Sequence, residues 1–274
     1  MRAPWFEAVA RPWRHGRIVG RYRAALRPGI CTALRAATPD SVLLVGNSHA
    51  EYLGTPDLGG RPSINLAVGG STAADCAKHL AELHRAGLRI PARCAASVLI
   101  IGTNDILRWR HPERARSVER FAAEVRRILG VLEAWSAQVF VAAVPPVGAW
   151  TSGRDPAAVA VFSDRLAALC AERGHSFFDP FATLRDGAGG LAGSGLCRDG
   201  VHLADYTRLA AEVARLAAID PAPNPRRDGL SRAEPVFTGA ESAPASLGPR
   251  LFRTAAPNPA ANLRVLRAAW AGRP

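Results

Sequence analysis

Long apolar runs are missing from this chain. None approaches the roughly 18 residues that span a bilayer, so no membrane-spanning segment is expected. The N-terminal stretch MRAPWFEAVARPWRHGRIVGRYR is basic but lacks the apolar segment of about 7–15 residues that marks a secretory signal; a cytoplasmic location is the expectation. Cysteine is sparse and unpaired. Cys31, Cys76, Cys94, Cys170 and Cys197 are odd in number and scattered, which argues against a disulfide framework and reads as small buried hydrophobes. Cys197 alone falls close to chemistry-bearing residues. No HExxH or paired-cysteine motif occurs, and His79 and His84 stand five apart, off a common helix face, so no metal is expected. No glycine-rich phosphate loop follows the first strand candidate, so no nucleotide cofactor is expected either. GAGGLAGSG at 187–195 opens no helix; it reads as a mobile segment lining a site or as a plain flexible connection. Lysine is nearly absent too: Lys78 stands beside 34 Arg, which with abundant Ala points to a composition biased by a GC-rich genome.

What remains is ample for folding. The chain has 274 residues, 48% of them hydrophobic, enough for one substantial core with extensions. Its net charge of +12 sits at the ends: residues 1–40 hold 8 Arg against 2 acids, and residues 221–274 hold 8 Arg against 3 acids. Two readings of these flanks stay open, a solvated biased composition and a weak anchor to anionic surfaces, lipid or nucleic acid. No specific nucleic-acid motif stands out.

Between the flanks, short apolar runs alternate with amphipathic stretches. Strands are expected at Ser41–Val45, Ser63–Ala67, Val98–Ile101, Val139–Val144 and Ser176–Phe178. Helices are expected at Thr72–Arg85, Glu113–Trp135, Ala157–Arg173 and Ala204–Ala218. The third of these helices has Asp155 as N-cap, Pro156 at its first position and Gly174 just past its end. Such alternation predicts a parallel sheet covered by helices on both faces. Residues 1–40 form a basic N-terminal extension with one or two helices, near Ile18–Leu26 and Cys31–Ala37, interrupted at Pro28-Gly29. The catalytic-type domain is bounded at 41–220. Residues 221–274 are rich in Pro, Ala and Arg and carry a linker or disorder composition, with a short helix near Ala260–Trp270.

Ligands of open parallel sheets bind outside the carboxyl ends of the strands. Those ends deliver Gly46-Asn47-Ser48, then Asn65-Leu-Ala-Val-Gly-Gly-Ser-Thr72, then Gly102-Thr-Asn-Asp105, and finally Asp199-Gly-Val-His-Leu203. A hydroxyl, flexible backbone amides, a carboxamide and an Asp/His pair form the inventory of acyl transfer to serine. Ser48 requires a base, because an unperturbed hydroxyl is a poor nucleophile. His202 can take its proton, and Asp199, three residues earlier, can hold the imidazole. The N–H groups of Ser48 and Gly70 and the Asn104 side chain can meet an oxyanion. Each block alone also fits an ordinary turn; their order and shared placement carry the inference.

Together GNSH, NLAVGGST, GTND and DGVHL resemble the four blocks of the SGNH hydrolases, the GDSL-type esterases and lipases. The resemblance covers about residues 40–218. It implies a three-layer α/β/α sandwich with a flavodoxin-like sheet, Ser48 as nucleophile, Gly70 and Asn104 as oxyanion donors, and Asp199 and His202 completing a triad. One departure stands out: the first block commonly reads Gly-Asp-Ser-Leu, and here Asn47 keeps a hydrogen-bonding side chain without the charge. His49 is read as a helix-start or substrate-wall residue rather than a rival base.

The expectation is a serine carboxylester hydrolase acting through an acyl-serine intermediate on short acyl or O-acetyl esters of a small molecule or glycan. Arg108, Trp109 and Arg110, directly after GTND, line its pocket or form an exposed turn. An O-acyltransferase with the same triad, and a non-catalytic module with basic flanks, are the alternatives.

Overall fold

The computed structural model describes residues 4–85, 90–91, 93–148, 153–187 and 189–218, with side chains described from residue 15 onward. The linker composition and short helix expected at 221–274 lie outside the described residues. Five strands form one sheet: β1 (Val42–Gly46), β2 (Ser63–Asn65), β3 (Cys94–Ile100), β4 (Ser136–Ala142) and β5 (Ser176–Phe178). Every pairing is parallel and the spatial order is β2-β1-β3-β4-β5, the flavodoxin-like order. Among the described residues six helices accompany them: α1 (Pro4–Arg35), α2 (Ser48–Glu51), α3 (Ala73–Arg85), α4 (Ala115–Trp135), α5 (Ala157–Arg173) and α6 (Thr207–Ala217).

The period of two along each strand builds two cores. Leu43 and Val45 of β1, Leu99 of β3 and Val139 and Val141 of β4 face one way. There they meet Ile30 and Leu34 of α1, Leu80 and Leu83 of α3, Phe121, Val125 and Leu129 of α4, and Phe162 and Leu166 of α5. Val42 and Leu44, Val98 and Ile100, and Phe140 and Ala142 face the other way, onto Ala50 of α2 and Leu209, Val213 and Leu216 of α6. With both faces covered, the strands read as continuous apolar runs, which is why they are legible in the sequence. The three-layer α/β/α fold is therefore the one expected.

The N-terminal segment differs from expectation. Pro28 does not divide it, and α1 runs unbroken to Arg35. An interior proline costs about 3 kcal/mol, through a lost backbone bond and a steric clash. Burial of Val19, Ile30 and Leu34 against the domain offsets that cost. At α5 the start lies one residue later than expected, with Pro156 rather than Asp155 in the N-cap position and Ala157 opening the helix. The Asp155 carboxylate still accepts from the Ala157 N–H at 3.1 Å, and Gly174 ends the helix at φ 71° as expected.

The strand order reverses between β2-β1 and β3-β4, so the loops leaving β1 and β3 part company and open a crevice. Gly46 makes the exit of β1 feasible: a Cβ there would stand 1.9 Å from the Ile100 carbonyl oxygen, at φ +142°. Among the described residues no helix is long and apolar enough to cross a membrane.

Candidate active site

Backbone bonds stitch together the loops that leave β1, β2 and β3. The Asn47 N–H donates to the Ile100 carbonyl at 3.1 Å and the Val68 N–H to the Gly46 carbonyl at 3.1 Å. Asn47 caps α2, its Oδ1 accepting the His49 N–H at 3.0 Å. A side-chain oxygen suffices for that cap, so the carboxamide replaces the commoner carboxylate without losing the turn. Ser48 thereby stands in the first turn of α2, mostly buried, at the crevice.

The last block comes from the far end of the chain. Cys197 pairs with Leu203 in an antiparallel bridge, and the Arg198 N–H donates to the His202 carbonyl at 3.0 Å, closing a tight turn over 198–202. Inside it Asp199 Oδ1 accepts the N–H groups of Val201 at 3.0 Å and His202 at 2.7 Å. Its Oδ2 lies 2.7 Å from His202 Nδ1, and His202 Nε2 lies 2.9 Å from Ser48 Oγ. A carboxylate only accepts, so Nδ1 carries the proton and Nε2 is free to accept from the serine. The relay Asp199–His202–Ser48 thus joins residues 154 positions apart at its serine end.

Electrostatics suit that tautomer. Burial lowers the His202 pKa below its ordinary value, against the opposing pull of Asp199. For Asp199 burial pushes upward, but hydrogen bonds from His202 outweigh it and hold the carboxyl below the usual range. His49, in contrast, is no wall residue. It is fully buried, its Nδ1 meets the Tyr206 hydroxyl at 3.0 Å, and burial drives its pKa well down. Tyr52 presents its ring edge-on to His202 at 4.9 Å between centroids, and the Arg198 guanidinium stacks 4.3 Å over Tyr52.

The expected oxyanion donors besides Ser48, namely Gly70 and Asn104, stand in the loops that leave β2 and β3. Neither the Ser48 N–H nor the Gly70 N–H donates to another described residue. Gly70 sits at φ +77°, where a Cβ would press to 3.3 Å from Val19 of α1. Asn104 Nδ2 donates to the Ser71 carbonyl at 3.0 Å, which leaves its second N–H. Its Oδ1 accepts from Arg154 Nη2 at 2.7 Å. Asp105 closes the same loop from beneath, both carboxylate oxygens accepting the Ala73 N–H at the start of α3 at 3.1 Å. Burial pushes its pKa up to about 7, against the pull of the Ala73 N–H and Arg110.

Several contributors carry no local signal in the sequence. Arg154 lies in the β4–α5 connection, 50 residues from Asn104. The Tyr22 hydroxyl of α1 donates to Glu51, whose carboxylate packs against Gly69, where a Cβ would stand 2.4 Å from Oε2. Trp109 belongs to a half-buried turn rather than a free one: Arg110 stacks 4.4 Å over its ring, and His15 lies 6.4 Å away edge-on. The glycine-rich stretch is pinned, with Val147 exchanging backbone bonds with Gly190 and Ala192 at 2.9 and 2.8 Å. The two helical histidines stay apart from the relay; burial lowers His79 to about 4. Among the described residues no group of three or more His, Cys, Asp or Glu side chains gathers in metal-ligating fashion.

The sequence from Val45 to Tyr206, which contains all four blocks and both ends of the relay, matches the model of one family. The chain belongs to the GDSL-like Lipase/Acylhydrolase family. It is therefore an enzyme of the esterase and acylhydrolase class. The fold agrees. A GDSL-like lipase from Bacteroides thetaiotaomicron superposes with a TM-score of 0.55 at 18% identity, over 68% of this chain and 94% of its own. A protein from Bacteroides fragilis described as an acylhydrolase gives 0.53 at 21% identity, over 65% and 86%. An acetyl xylan esterase gives 0.50 at 14% identity, over 65% and 99%. No curated protein sequence matches. The resemblance of the four short blocks is thus a family membership in this GDSL chain.

Proposed function

We propose that this GDSL-family chain hydrolyses carboxylic esters through an acyl-enzyme on Ser48, with short acyl groups on a polar alcohol or glycan as its substrates. The observation that carries the proposal is the unbroken hydrogen-bond relay from Asp199 through His202 to Ser48 Oγ.

The steps follow from the polarity of that relay. His202 Nε2 removes the hydroxyl proton as Ser48 Oγ adds to the ester carbonyl carbon. Negative charge moves to the carbonyl oxygen, where the Ser48 and Gly70 N–H groups and the remaining Asn104 N–H are free to donate. Asp199 steadies the imidazolium. Collapse breaks the bond to the alcohol oxygen, which leaves with the proton from Nε2. Water then repeats the sequence on the acyl-serine, returning the acid and free Ser48. No cofactor is required. Aromatic and charged groups flank the relay, namely Tyr52, Arg198 and Arg154, and they suit a small acyl group with a hydrophilic alcohol better than a long alkyl chain.

Hydrolysis of p-nitrophenyl esters of increasing chain length tests the proposal. Turnover should be highest for acetate and neighbouring lengths, and Ser48→Ala should abolish it while a serine-directed phosphonate labels the parent protein once. Undiminished turnover in Ser48→Ala would refute the assignment. Turnover that appears only with an added sugar or alcohol acceptor would make the enzyme an acyltransferase.

A further inference from the structure

The geometry points to Arg154 as a positioning residue that holds the Asn104 carboxamide with its N–H face turned toward the oxyanion. The inference rests on the proposed role of Asn104 as an oxyanion donor.

A carboxamide has two faces of opposite polarity, and rotation by half a turn exchanges them. In the observed orientation Oδ1 accepts from Arg154 Nη2 at 2.7 Å and Nδ2 donates to the Ser71 carbonyl at 3.0 Å. The second Nδ2 proton is left for substrate. Flipping the amide would set its NH2 against a guanidinium that has no acceptor, and its oxygen against the Ser71 carbonyl. Both contacts turn repulsive, so the guanidinium excludes the state in which an oxygen, rather than a donor, faces the developing charge. A charge-assisted bond to Oδ1 also withdraws density from the amide and strengthens its N–H as a donor.

Arg154 can do this because it is itself fixed. Its Nε donates to the carbonyl of Thr103 at 3.0 Å, so one side chain grips two consecutive residues of the oxyanion loop. Its backbone lies against the same loop: Leu107 and Arg154 form an antiparallel bridge, the Arg108 N–H donates to the Gly153 carbonyl at 2.7 Å, and the Asp155 N–H donates to the Ile106 carbonyl at 2.9 Å. Burial lowers the guanidinium pKa to about 10, with Asp199 opposing, which leaves the group charged at neutral pH.

The test is a double-mutant cycle on the purified full chain with a p-nitrophenyl ester, each variant first shown to be folded by circular dichroism and thermal melting. Asn104→Ala should lower kcat on the order of 100-fold or more. Arg154→Ala should lower kcat on the order of 10- to 100-fold with KM little changed, because a misaligned donor is weakened rather than deleted. In the Asn104→Ala background the Arg154 substitution should cost nothing further. Millimolar guanidinium should restore part of the lost kcat in Arg154→Ala and none in Asn104→Ala. Where Arg154→Ala does not fold, Arg154→Lys takes its place in the cycle, with an intermediate loss of kcat expected. Additive losses, or a loss carried by KM with kcat preserved, would overturn the positioning role; the latter would make Arg154 a substrate-binding residue. An unchanged kcat in Asn104→Ala would instead sink the oxyanion assignment of Asn104.

Discussion

At the scale of single residues, His202 links structure to a pH profile. It must be neutral at Nε2 to accept the serine proton, and burial has lowered its pKa below the ordinary 6.5 despite Asp199. The rate should therefore rise with pH through a midpoint below 6.5 and level off near neutrality, as kcat/KM profiles between pH 4 and 8 would record. Asp199→Asn removes the one carboxylate that raises this pKa, so the acid limb should move further down. The same variant should lose on the order of 10,000-fold in kcat, because the wrong tautomer is favoured. His49→Asn should leave the midpoint in place: burial lowers the His49 pKa well below the ordinary value, and its ring bonds Tyr206 rather than Ser48. A shifted limb in that variant would make His49 the titrating base.

At the scale of elements, α1 packs against the candidate site. Its Tyr22 hydroxyl bonds Glu51 three residues after the serine, and Val19 packs against Gly70. Tyr22→Phe leaves a buried carboxylate short of a donor and should cost about 1–3 kcal/mol of stability, read by denaturant titration. A smaller fall in kcat should accompany it, since the Glu51 carboxylate packs directly against Gly69 beside the proposed oxyanion donor. The start of α3 offers a second test. Asp105 has a folded pKa raised from 3.8 to about 7, mainly by burial. A raised carboxyl pKa means the folded state holds a proton that the unfolded state has released, so its contribution to stability is lost as pH climbs from about 4 to 7. Asp105→Asn cannot titrate. The melting temperature of the parent relative to this variant should fall across that window, and a constant difference would contradict the burial of a carboxyl there.

At the scale of the whole molecule, the relay, the donors and both cores lie between Val19 and Ala217. A chain shortened to residue 218 should keep the ester turnover of the full chain within a few-fold; a folded but inactive product would show that residues beyond 218 complete the site. The split between legible and hidden features follows contact distance along the chain. Strands buried on both faces and amphipathic helices announce themselves through local apolar periodicity. Gly46, Ser48 and Asn104 stand at or just past strand ends where chemistry is expected, and Asp199 and His202 in one short block before α6. Each block also contains its own geometry: the Asp199 turn forms from bonds to Val201 and His202, two and three residues away. Side chains that act across folded distance leave no such trace. Arg154 sits in a loop with no periodicity, one arginine among 34, and only packing against residues 103–108 singles it out. Pro28 misled for the related reason that a local helix-breaking cost was outweighed by burial that only the assembled core supplies. Local order, block order and the identity of the proposed reacting groups are thus written along the chain. The orientation of the Asn104 amide, the burial of His49 and the contacts of α1 with Glu51 and Gly70 were settled by tertiary structure, because each depends on which groups exclude water from one another.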